Sequence, residues 1–415
     1  MRNENEPSGM ARRGFLAAGL AATAVLPLLS GPARATTDAA VEDPDQLFAN
    51  GLFAAADRGY ARLLAADPGD AHAWAQRGFI ALLSNRLTTA ERFLGAALRL
   101  APADQNSALW LAQCHVRRAD FLAAVPLFTQ AGDRIDAACY SAVSGPPYRV
   151  AGAAATRLPF QTLDPLPTVD GTVNGTPTRF VLDTGASFGL SAATAAAAGI
   201  KPVATVMTQS PGGPVESYVG VVGSLQLGDI SINNFPVMWN AGSLLDAPAG
   251  ADGVVGTTIF SRFLTTLDYA GQALTLRRGP AGPNGGPTAP MWLAPDHFIF
   301  SRGRIGGSAE GLVLLDTGGV GLGVVLTTAQ ATADDVTPED GLPGSYLGVT
   351  GYPCTASQVS LGSVTRRDIP GAVGPFAPPA DFGFSDLGTL SHEFFRTLSM
   401  TLDFTQMSIA LTIGA

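Results

Sequence analysis

Two copies of the tripeptide Asp-Thr-Gly, each at the end of an apolar run, constrain this chain more than any other feature. The first copy follows Phe180–Leu182 and begins at Asp183, and the second follows Leu312–Leu315 and begins at Asp316. A short apolar run that stops at a glycine predicts a buried strand and a tight turn. Each pattern therefore predicts a carboxylate carried on a loop just beyond the edge of a sheet.

Further matching segments follow each copy. Gly256, in an apolar-apolar-Gly segment, comes 73 positions after Asp183, and Gly388 comes 72 positions after Asp316. A Phe lies seven positions beyond each of these glycines, and two strand-like segments close each half. Self-similarity on this scale indicates an internal duplication, although the correspondence shifts by about three residues near its end. The sequence predicts two lobes built alike.

In these motifs the chain resembles the aspartic proteases of the pepsin and retroviral-protease clan, over about residues 147–415. In that clan each lobe contributes one Asp-Thr-Gly loop, and a later apolar-apolar-Gly segment packs beneath the loop. Asp252–Gly256 fits that segment in the first half, with Asp252 as a turn residue. The resemblance implies a two-lobed all-β fold in which Asp183 and Asp316 are the catalytic pair.

The resemblance also implies roles for the residues beside the two acids. Thr184 and Thr317 would tie the two loops together through crossed hydrogen bonds to backbone. Gly185 and Gly318 would permit the turns and offer backbone N–H groups to the carboxylates. These four residues are the predicted support of the catalytic loops.

The residue after each motif departs from the family pattern. Pepsin-like enzymes usually carry Ser or Thr there, whereas this chain carries Ala186 and Gly319. With fewer hydroxyl donors to stabilise the charged form, we expect a working pH nearer neutral than that of pepsin. A rate profile that peaks below about pH 3 would contradict this expectation.

A glycine-rich stretch between residues 203–208 and 215–222 predicts a hairpin tip. In the resembled family a mobile flap closes over the substrate at this point, so Gly212 and Gly213 are candidate flap residues and Tyr218 is a further one. The alternative is an ordinary surface loop. Residues 347–353 are the counterpart in the second half by position.

Residues 45–131, ahead of the duplication, contain a repeat of another kind. Pro68 and Pro102 are 34 positions apart, which is the period of a tetratricopeptide repeat (TPR), and about two and a half units are visible. Because three or more repeats are normally needed to bury a core, we expect the array to lean on the protease-like part or on a partner. Either its concave face binds a partner or substrate protein, or the helices are a spacer or stabilising cap.

The predicted fold class is multidomain, with N-terminal α-helical TPR-like hairpins followed by an all-β two-lobed aspartic-protease-like fold. The predicted segments are a signal peptide at 1–35, the repeats at 45–131, a linker at 132–146, the first lobe at 147–279, a second linker at 280–290 and the second lobe at 291–415.

Residues 1–35 have the pattern of an export signal of the twin-arginine kind. Arg12-Arg13-Gly14-Phe15-Leu16 opens an apolar stretch of about 15 residues, and Ala33-Arg34-Ala35 is a small-x-small cleavage site. The stretch is short for a bilayer span. We expect a bacterial periplasmic or secreted protein with no membrane span after cleavage. General secretion and an uncleaved anchor are the alternatives.

Composition excludes several classes of function. The net charge of −9 argues against nucleic acid and anionic membrane surfaces as partners. No His or Cys lies at a metal-ligand spacing, so the sequence predicts no metal and no cofactor. The cluster Ser391-His392-Glu393 is assigned to a short structural helix. For Cys114, Cys139 and Cys354, either the first two form one bridge or all three are buried free thiols.

Two functional hypotheses follow. The first is an exported aspartic endopeptidase that hydrolyses a peptide or protein substrate through a water activated by the Asp pair, with the repeats binding a partner or the substrate. The second is a catalytically silent protease-like binding module that acts through its TPR segment. A repeat-led scaffold with an incidental β domain is a third reading.

Overall fold

The structure is a computed structural model that describes residues 42–414 apart from 211–212, 241–249, 280–287, 296, 347–348 and 377–380. The side chains of residues 208–210 and 213–214 also lie outside the description. The predicted signal peptide at 1–35 and the flap candidate Gly212 therefore lie outside the described residues.

The first part of the described chain is helical. Helices that follow one another in the sequence pack together, and Asp side chains accept hydrogen bonds from backbone N–H groups at the starts of five helices. The helices are α1 (Pro44–Ala49), α2 (Phe53–Ala66), α3 (Ala71–Leu83), α4 (Leu87–Leu100), α5 (Gln105–Arg117), α6 (Phe121–Ala131) and α7 (Arg134–Ser141).

Small residues let the paired helices approach closely, as the TPR pattern predicts. A Cβ added at Gly78 of α3 would lie 2.6 Å from the side chain of Leu94 on α4, and Ala90 and Ala97 of α4 are buried. Three helix pairs, α1–α2, α3–α4 and α5–α6, are therefore present. This arrangement is compatible with TPR-like hairpins.

Helix α7 lies within residues 132–146, which the sequence analysis assigned to a linker. Its Tyr140 is buried, stacks on Phe128 with ring centroids 5.4 Å apart, and packs edge-on against Phe121. The apolar face of α6 thus needs another helix to cover it. These residues extend the helical array, so the description of the whole stretch as a linker is corrected.

Eight strands of the first lobe form one sheet: β1 (Arg149–Gly152), β3 (Thr168–Val173), β4 (Thr176–Asp183), β5 (Gly189–Leu190), β6 (Ala204–Ser210), β7 (Gly213–Leu227), β8 (Ile230–Asn240) and β9 (Gly253–Gly256). Their order in the sheet is β1-β8-β5-β9-β4-β3-β7-β6. Helix α8 (Ala192–Ala197) follows β5, and helix α9 (Thr257–Phe260) follows β9. Three further strands, β2 (Ala155–Pro159), β10 (Leu264–Asp268) and β11 (Ala273–Arg277), join a second sheet.

The second lobe repeats this arrangement. In each lobe, the strand that leads into Asp-Thr-Gly pairs in parallel with a short strand from later in the chain. That short strand pairs antiparallel with the strand that directly follows the Asp-Thr-Gly motif. The elements of the second lobe are β12 (Thr288–Leu293), β13 (Ile299–Ile305), β14 (Gly311–Leu315), β15 (Val324–Thr327), α10 (Thr328–Ala333), β16 (Gly344–Tyr346), β17 (Val349–Leu361), β18 (Val364–Gly374), β19 (Thr389–Leu390), α11 (His392–Phe395), β20 (Leu398–Asp403) and β21 (Ser408–Ile413).

The two lobes share strands across a central run in the order β2-β11-β10-β20-β21-β12. Strands β10 and β20 pair antiparallel at its middle, where Thr266 lies opposite Thr401 and their hydroxyls are 2.8 Å apart. Each half contributes three strands in mirrored order about this pair. The predicted duplication therefore appears as a pseudo-twofold axis. Strand β12 starts at Thr288, so residues 288–290 of the predicted second linker belong to this sheet.

The helical array packs on the second lobe through a shared core. Buried residues of α1–α5 form one cluster with Phe300, Leu312 and Leu314 of β13 and β14. The Arg117 guanidinium of α5 donates to the carbonyl of Leu293 at 2.8 Å. As expected from the low repeat number, the array leans on the protease-like part.

The predicted fold class, helical hairpins followed by an all-β two-lobed region, is confirmed. Cys114 and Cys354 are buried free thiols, so a bridge between Cys114 and Cys139 is not formed. Among the described helices, none combines the length and apolar character required to cross a bilayer.

Candidate active site

Both Asp-Thr-Gly motifs lie where a buried strand ends between two neighbours. Strand β4 runs parallel to β9, so Asp183 at its end lies opposite Gly256. In the second lobe β14 runs parallel to β19, and the N–H of Asp316 donates to the carbonyl of Leu390 at 3.0 Å. The two acids therefore lie at equivalent positions, each at the end of a buried strand.

Thr184 and Thr317 connect the two loops through crossed hydrogen bonds. The N–H of Thr184 donates to the Thr317 hydroxyl at 3.0 Å, and the N–H of Thr317 donates to the Thr184 hydroxyl at 3.1 Å. Each hydroxyl then donates to a backbone carbonyl of the opposite strand, at Leu315 or Leu182. Both Thr residues are fully buried. Their four bonds hold the two acids in a fixed relation.

The glycines of the motifs bring each carboxyl against the opposite loop. The N–H of Gly185 donates to Asp183 at 2.7 Å, and the N–H of Gly318 donates to Asp316 at 2.9 Å. A Cβ on Gly185 would overlap the carboxyl of Asp316, and one on Gly318 would overlap that of Asp183. Only glycine permits this approach.

The two carboxyls form a hydrogen-bonded pair that still reaches solvent. Burial, the charge of Asp316 and the hydrogen bond with Asp316 raise the pKa of Asp183 well above its usual range. Two carboxylates this close cannot both ionise easily, so the pair holds one proton. Both residues are half-buried rather than enclosed. The arrangement can bind a water molecule between a proton acceptor and a proton donor.

The register of the second lobe differs from the sequence-based alignment. Gly388 was matched to Gly256, but the strand pairing places Leu390 opposite Leu315 and so makes Ser391 the equivalent of Gly256. Gly388 lies three residues earlier, immediately before β19, with a φ of +136°. The shift of three residues noticed in the repeat reflects this mismatch, because Ser391 lies three positions after Gly388. Ser391 comes 75 positions after Asp316 and Gly256 comes 73 positions after Asp183, so the second lobe has two extra residues in this stretch.

Ser391 explains why glycine follows the second motif. Its hydroxyl donates to the carbonyl of Asp316 at 2.5 Å and accepts from the N–H of Gly319 at 3.0 Å. A Cβ at position 319 would overlap that hydroxyl. In the first lobe the glycine is on the later strand and the side chain follows the motif: a Cβ on Gly256 would overlap the carbonyl of Ala186. Side chain and glycine have exchanged places between the lobes.

Two further residues near the loops escaped the sequence analysis. His297, between β12 and β13, places Nε2 3.0 Å from the carbonyl oxygen of Gly185. Tyr269, which follows β10, is fully buried, and this burial raises its pKa. Neither position carries a motif. A signal for Tyr269 existed in its match with Phe404 at the same place in the second half.

Two of the flap candidates, Gly213 and Tyr218, lie on β7, which pairs antiparallel with β6. Gly213 begins β7 opposite Ser210, while residues 211–212 lie outside the described residues. The ring of Tyr218 packs on Trp239 with centroids 5.8 Å apart, and its hydroxyl donates to Glu216 at 2.5 Å. These contacts are with Glu216 of β7 and Trp239 of β8, and no described contact joins Tyr218 to the two acids.

One group of metal-ligating side chains contains Asp164, His392 and Glu393, whose ligand atoms lie within 4.8 Å of one another. Arg396 already binds both of these carboxylates, through ion pairs with Asp164 and with Glu393. His392 begins α11 and is buried, which lowers its pKa. The guanidinium supplies the positive charge that this cluster requires. The short helix predicted around Ser391-His392-Glu393 is present.

Comparison with known proteins supports the assignment of the first lobe. Residues 169–259 match the family model described as aspartyl protease. Among solved structures, a retropepsin-like aspartic protease from Rickettsia conorii is similar, with a TM-score of 0.25 and 18% sequence identity over 32% of this chain and 94% of that one. No curated protein matches the chain. The match of residues 169–259 to the aspartyl protease family model confirms the resemblance that the sequence predicted.

Proposed function

We propose that the protein is an aspartic endopeptidase that hydrolyses peptide bonds through a water activated by Asp183 and Asp316. The observation that carries the proposal is the hydrogen-bonded carboxyl pair held by the crossed bonds of Thr184 and Thr317. A pair that shares one proton offers a base and an acid to the same substrate. The family match of residues 169–259 supports the same reaction class.

The reaction needs a nucleophile and two proton transfers. The ionised carboxylate takes a proton from the bound water, and the oxygen of that water attacks the carbonyl carbon of the scissile bond. The protonated carboxyl polarises the carbonyl oxygen and then helps to protonate the leaving nitrogen. The C–N bond breaks, and the pair again holds one proton.

The raised pKa of Asp183 supports a working range nearer neutral than that of pepsin. A pair that keeps its proton to higher pH still has an acid available when the bulk solution is only weakly acidic. Activity falls on the alkaline side once that proton is lost. A rate profile measured from about pH 2 to pH 9 tests this, and a maximum below about pH 3 contradicts it.

We also propose that the enzyme is exported and acts in a bacterial periplasm or outside the cell. The support is the Arg12-Arg13 motif with the apolar stretch and cleavage site that follow it. Fractionation of cells that express the full chain, with Arg12-Arg13 changed to Lys-Lys as the control, tests the route. Retention of the Lys-Lys variant inside the cell is the expected result.

Cleavage of a mixed peptide library by the full chain tests the reaction. Asp183→Asn and Asp316→Asn should each abolish cleavage, and a statine-type inhibitor should block it. Asp252→Asn is the matched control, because this acid lies in the same lobe and binds the backbone N–H of Arg179 instead. Internal cleavage that survives either change at the pair contradicts the proposal. Absence of any cleavage favours the alternative, a silent binding module.

A further inference from the structure

A cavity of about 730 Å³ lies between the helical array and the β lobes. Helices α3 and α5 form one wall, and the segments around Phe298 and Phe382 of the second lobe form another. Met238, at the end of β8, adds a contact from the first lobe. The cavity is therefore built jointly by the repeats and by both lobes.

Aromatic rings line much of this cavity. Phe79 of α3 and Trp110 of α5 stack with centroids 4.1 Å apart, and Phe298 packs against Phe382 with centroids 5.7 Å apart. Phe79 is buried, so the partly exposed rings of Trp110, Phe298 and Phe382 are the ones that offer apolar surface to a ligand. Such rings also attract cations through their π electrons.

The charged residues of the lining are nearly all acidic. Asp45, Asp133, Asp136 and Asp381 carry four carboxylates, whereas the described lining residues include no Lys or Arg. His72 is the basic side chain among them, and its Nε2 lies 2.8 Å from Asp45. The cavity therefore combines apolar rings with an excess of negative charge, which complements a cationic and apolar ligand.

The cavity also adjoins the catalytic loop. Phe298 follows His297 in the chain, and the Nε2 of His297 lies 3.0 Å from the carbonyl oxygen of Gly185. The two rings are in contact, with centroids 4.1 Å apart. One short segment thus touches both the cavity and the loop that carries Asp183.

We propose that this cavity binds a segment of the peptide substrate in which a Lys or Arg side chain stands next to an aromatic or aliphatic one. The inference rests on the proposed function, because it makes the cavity a recognition site for the chain that the Asp pair cleaves. A volume of this size holds a few side chains and not a folded domain. The residues that select the substrate then lie partly outside the catalytic loops, on the repeats and on the second lobe.

Binding can be measured without cleavage in the full chain carrying Asp183→Asn. The probes are three fluorescein-labelled ten-residue peptides in a Gly/Ser background, with Arg-Phe, Glu-Phe or Arg-Ser at the centre, followed by fluorescence anisotropy. We expect the Arg-Phe peptide to bind at least about tenfold more tightly than either of the others.

Asp381 is the residue to change, because its described bond is to the N–H of Gly383 and Asn can accept the same bond. Asp381→Asn should weaken binding of the Arg-Phe peptide about threefold, and Asp381→Arg about tenfold. Asp340→Asn and Asp340→Arg are the matched controls, since this exposed acid does not line the cavity. They should leave binding unchanged.

Equal effects at positions 340 and 381 would overturn the inference, because they would mean that the net charge of −9 attracts any cationic peptide. Equal binding of the three peptides would overturn it as well. The outcome for the proposed function is separate. If the protein cleaves the library but binds the three peptides equally, the protease proposal stands and the proposal for the cavity is wrong. If it binds the Arg-Phe peptide selectively but cleaves nothing, the proposal for the cavity as a peptide-binding site stands and the protease proposal is wrong.

Discussion

Thr184 and Thr317 each donate a backbone N–H to the hydroxyl of the other, although they lie in different lobes. Both residues are fully buried, and their hydroxyls also donate to the strands opposite. This symmetric contact links the two catalytic loops directly. The geometry of the acid pair depends on it, because Asp183 and Asp316 directly precede the two Thr residues.

Replacing one of these Thr residues should damage both stability and activity. Thr317→Ala removes one hydroxyl that donates to Leu182 and accepts from Thr184, and it leaves a buried N–H without a partner. We expect a loss of about 3 kcal/mol in the free energy of unfolding. Peptide cleavage should fall on the order of 10- to 100-fold because the acids shift apart.

Urea unfolding and steady-state kinetics measure these two effects for Thr317→Ala. Thr317→Ser is the control, since it keeps the hydroxyl and should lie close to the parent protein in both measurements. If Thr317→Ser is as inactive as Thr317→Ala, the methyl group and not the crossed hydrogen bonds is what matters.

The exchange of side chain and glycine at positions 319 and 391 predicts a compensating pair of substitutions. Gly319→Ala alone should cost about 1–3 kcal/mol of stability, because its Cβ overlaps the Ser391 hydroxyl. Once Ser391→Gly has removed that side chain, the nearest remaining atom is the Cβ of Leu322 at 3.4 Å, an ordinary contact.

A double-mutant cycle on thermal or urea unfolding measures the coupling between these positions. Gly319→Ala should be nearly neutral in the Ser391→Gly background. Ser391→Gly by itself should be destabilising, because the carbonyl of Asp316 and the N–H of Gly319 lose their shared partner. Additive effects would contradict the exchange.

The raised pKa of Asp183 predicts a stability effect that depends on pH. A carboxyl whose pKa is raised by folding favours the folded state while it is protonated, so its contribution is fully present below the unfolded pKa and is lost as pH rises through the folded pKa. Asp183→Asn mimics the protonated form. It should stabilise the protein at pH 8, on the order of 1–2 kcal/mol, and have little effect near pH 3.

Denaturant unfolding at both pH values, with Asp252→Asn alongside as the control, checks this expectation. Asp183→Asn should at the same time abolish cleavage. A variant that is less stable than the parent at pH 8 would mean that the ionised carboxylate is well accommodated, against the burial and the negative neighbour that surround it.

Asp334 should produce a second pH-dependent change in stability, away from the acid pair. Burial, with the charge of Asp386 added, raises the pKa of Asp334 to about 7, and one of its carboxyl oxygens has no hydrogen-bond partner among the described residues. The sign is the same as for Asp183, so stability should fall as pH rises through about 7. Asp334→Asn should reduce that fall, on the order of 2 kcal/mol at pH 8.

Unfolding curves between pH 5 and pH 8 measure this slope. Asp335→Asn is the matched control, because the neighbouring acid is exposed and has a φ of +55°, which Asn tolerates. An unchanged slope in Asp334→Asn would assign the pH dependence to another group. Asp386, whose pKa burial raises to about 6, is then the next residue to change.

Much of the architecture could be predicted because it depends on local patterns. The apolar run that ends at Asp183 indicates a strand, and prolines and small residues at a 34-residue period indicate the helical hairpins. The matching segments of the two halves are visible when the sequence is compared with itself. The two lobes and the helical hairpins followed from that information.

The register of the second lobe could not be predicted in this way. Gly388 and Gly256 are both glycines, which suggested that they are equivalent. The pairing of β14 with β19 shows instead that Ser391 is the structural equivalent of Gly256. The register of two parallel strands depends on how their side chains pack with the rest of the lobe, and no motif within either strand specifies it. The role of Gly319 depends on Ser391, 72 residues later, and became apparent only with that pairing.

By itself the sequence determined that a helical-repeat segment precedes the β region, that the β region is doubled, and that one acid ends a strand in each half. Tertiary structure alone decided that the helices share a core with Phe300, Leu312 and Leu314, that His297 reaches the loop of Asp183, and that Ser391 supports Asp316. The physical reason is that local periodicity sets which face of an element is apolar. Which distant residue covers that face is decided by packing between elements, where volume and hydrogen-bond partners must match together.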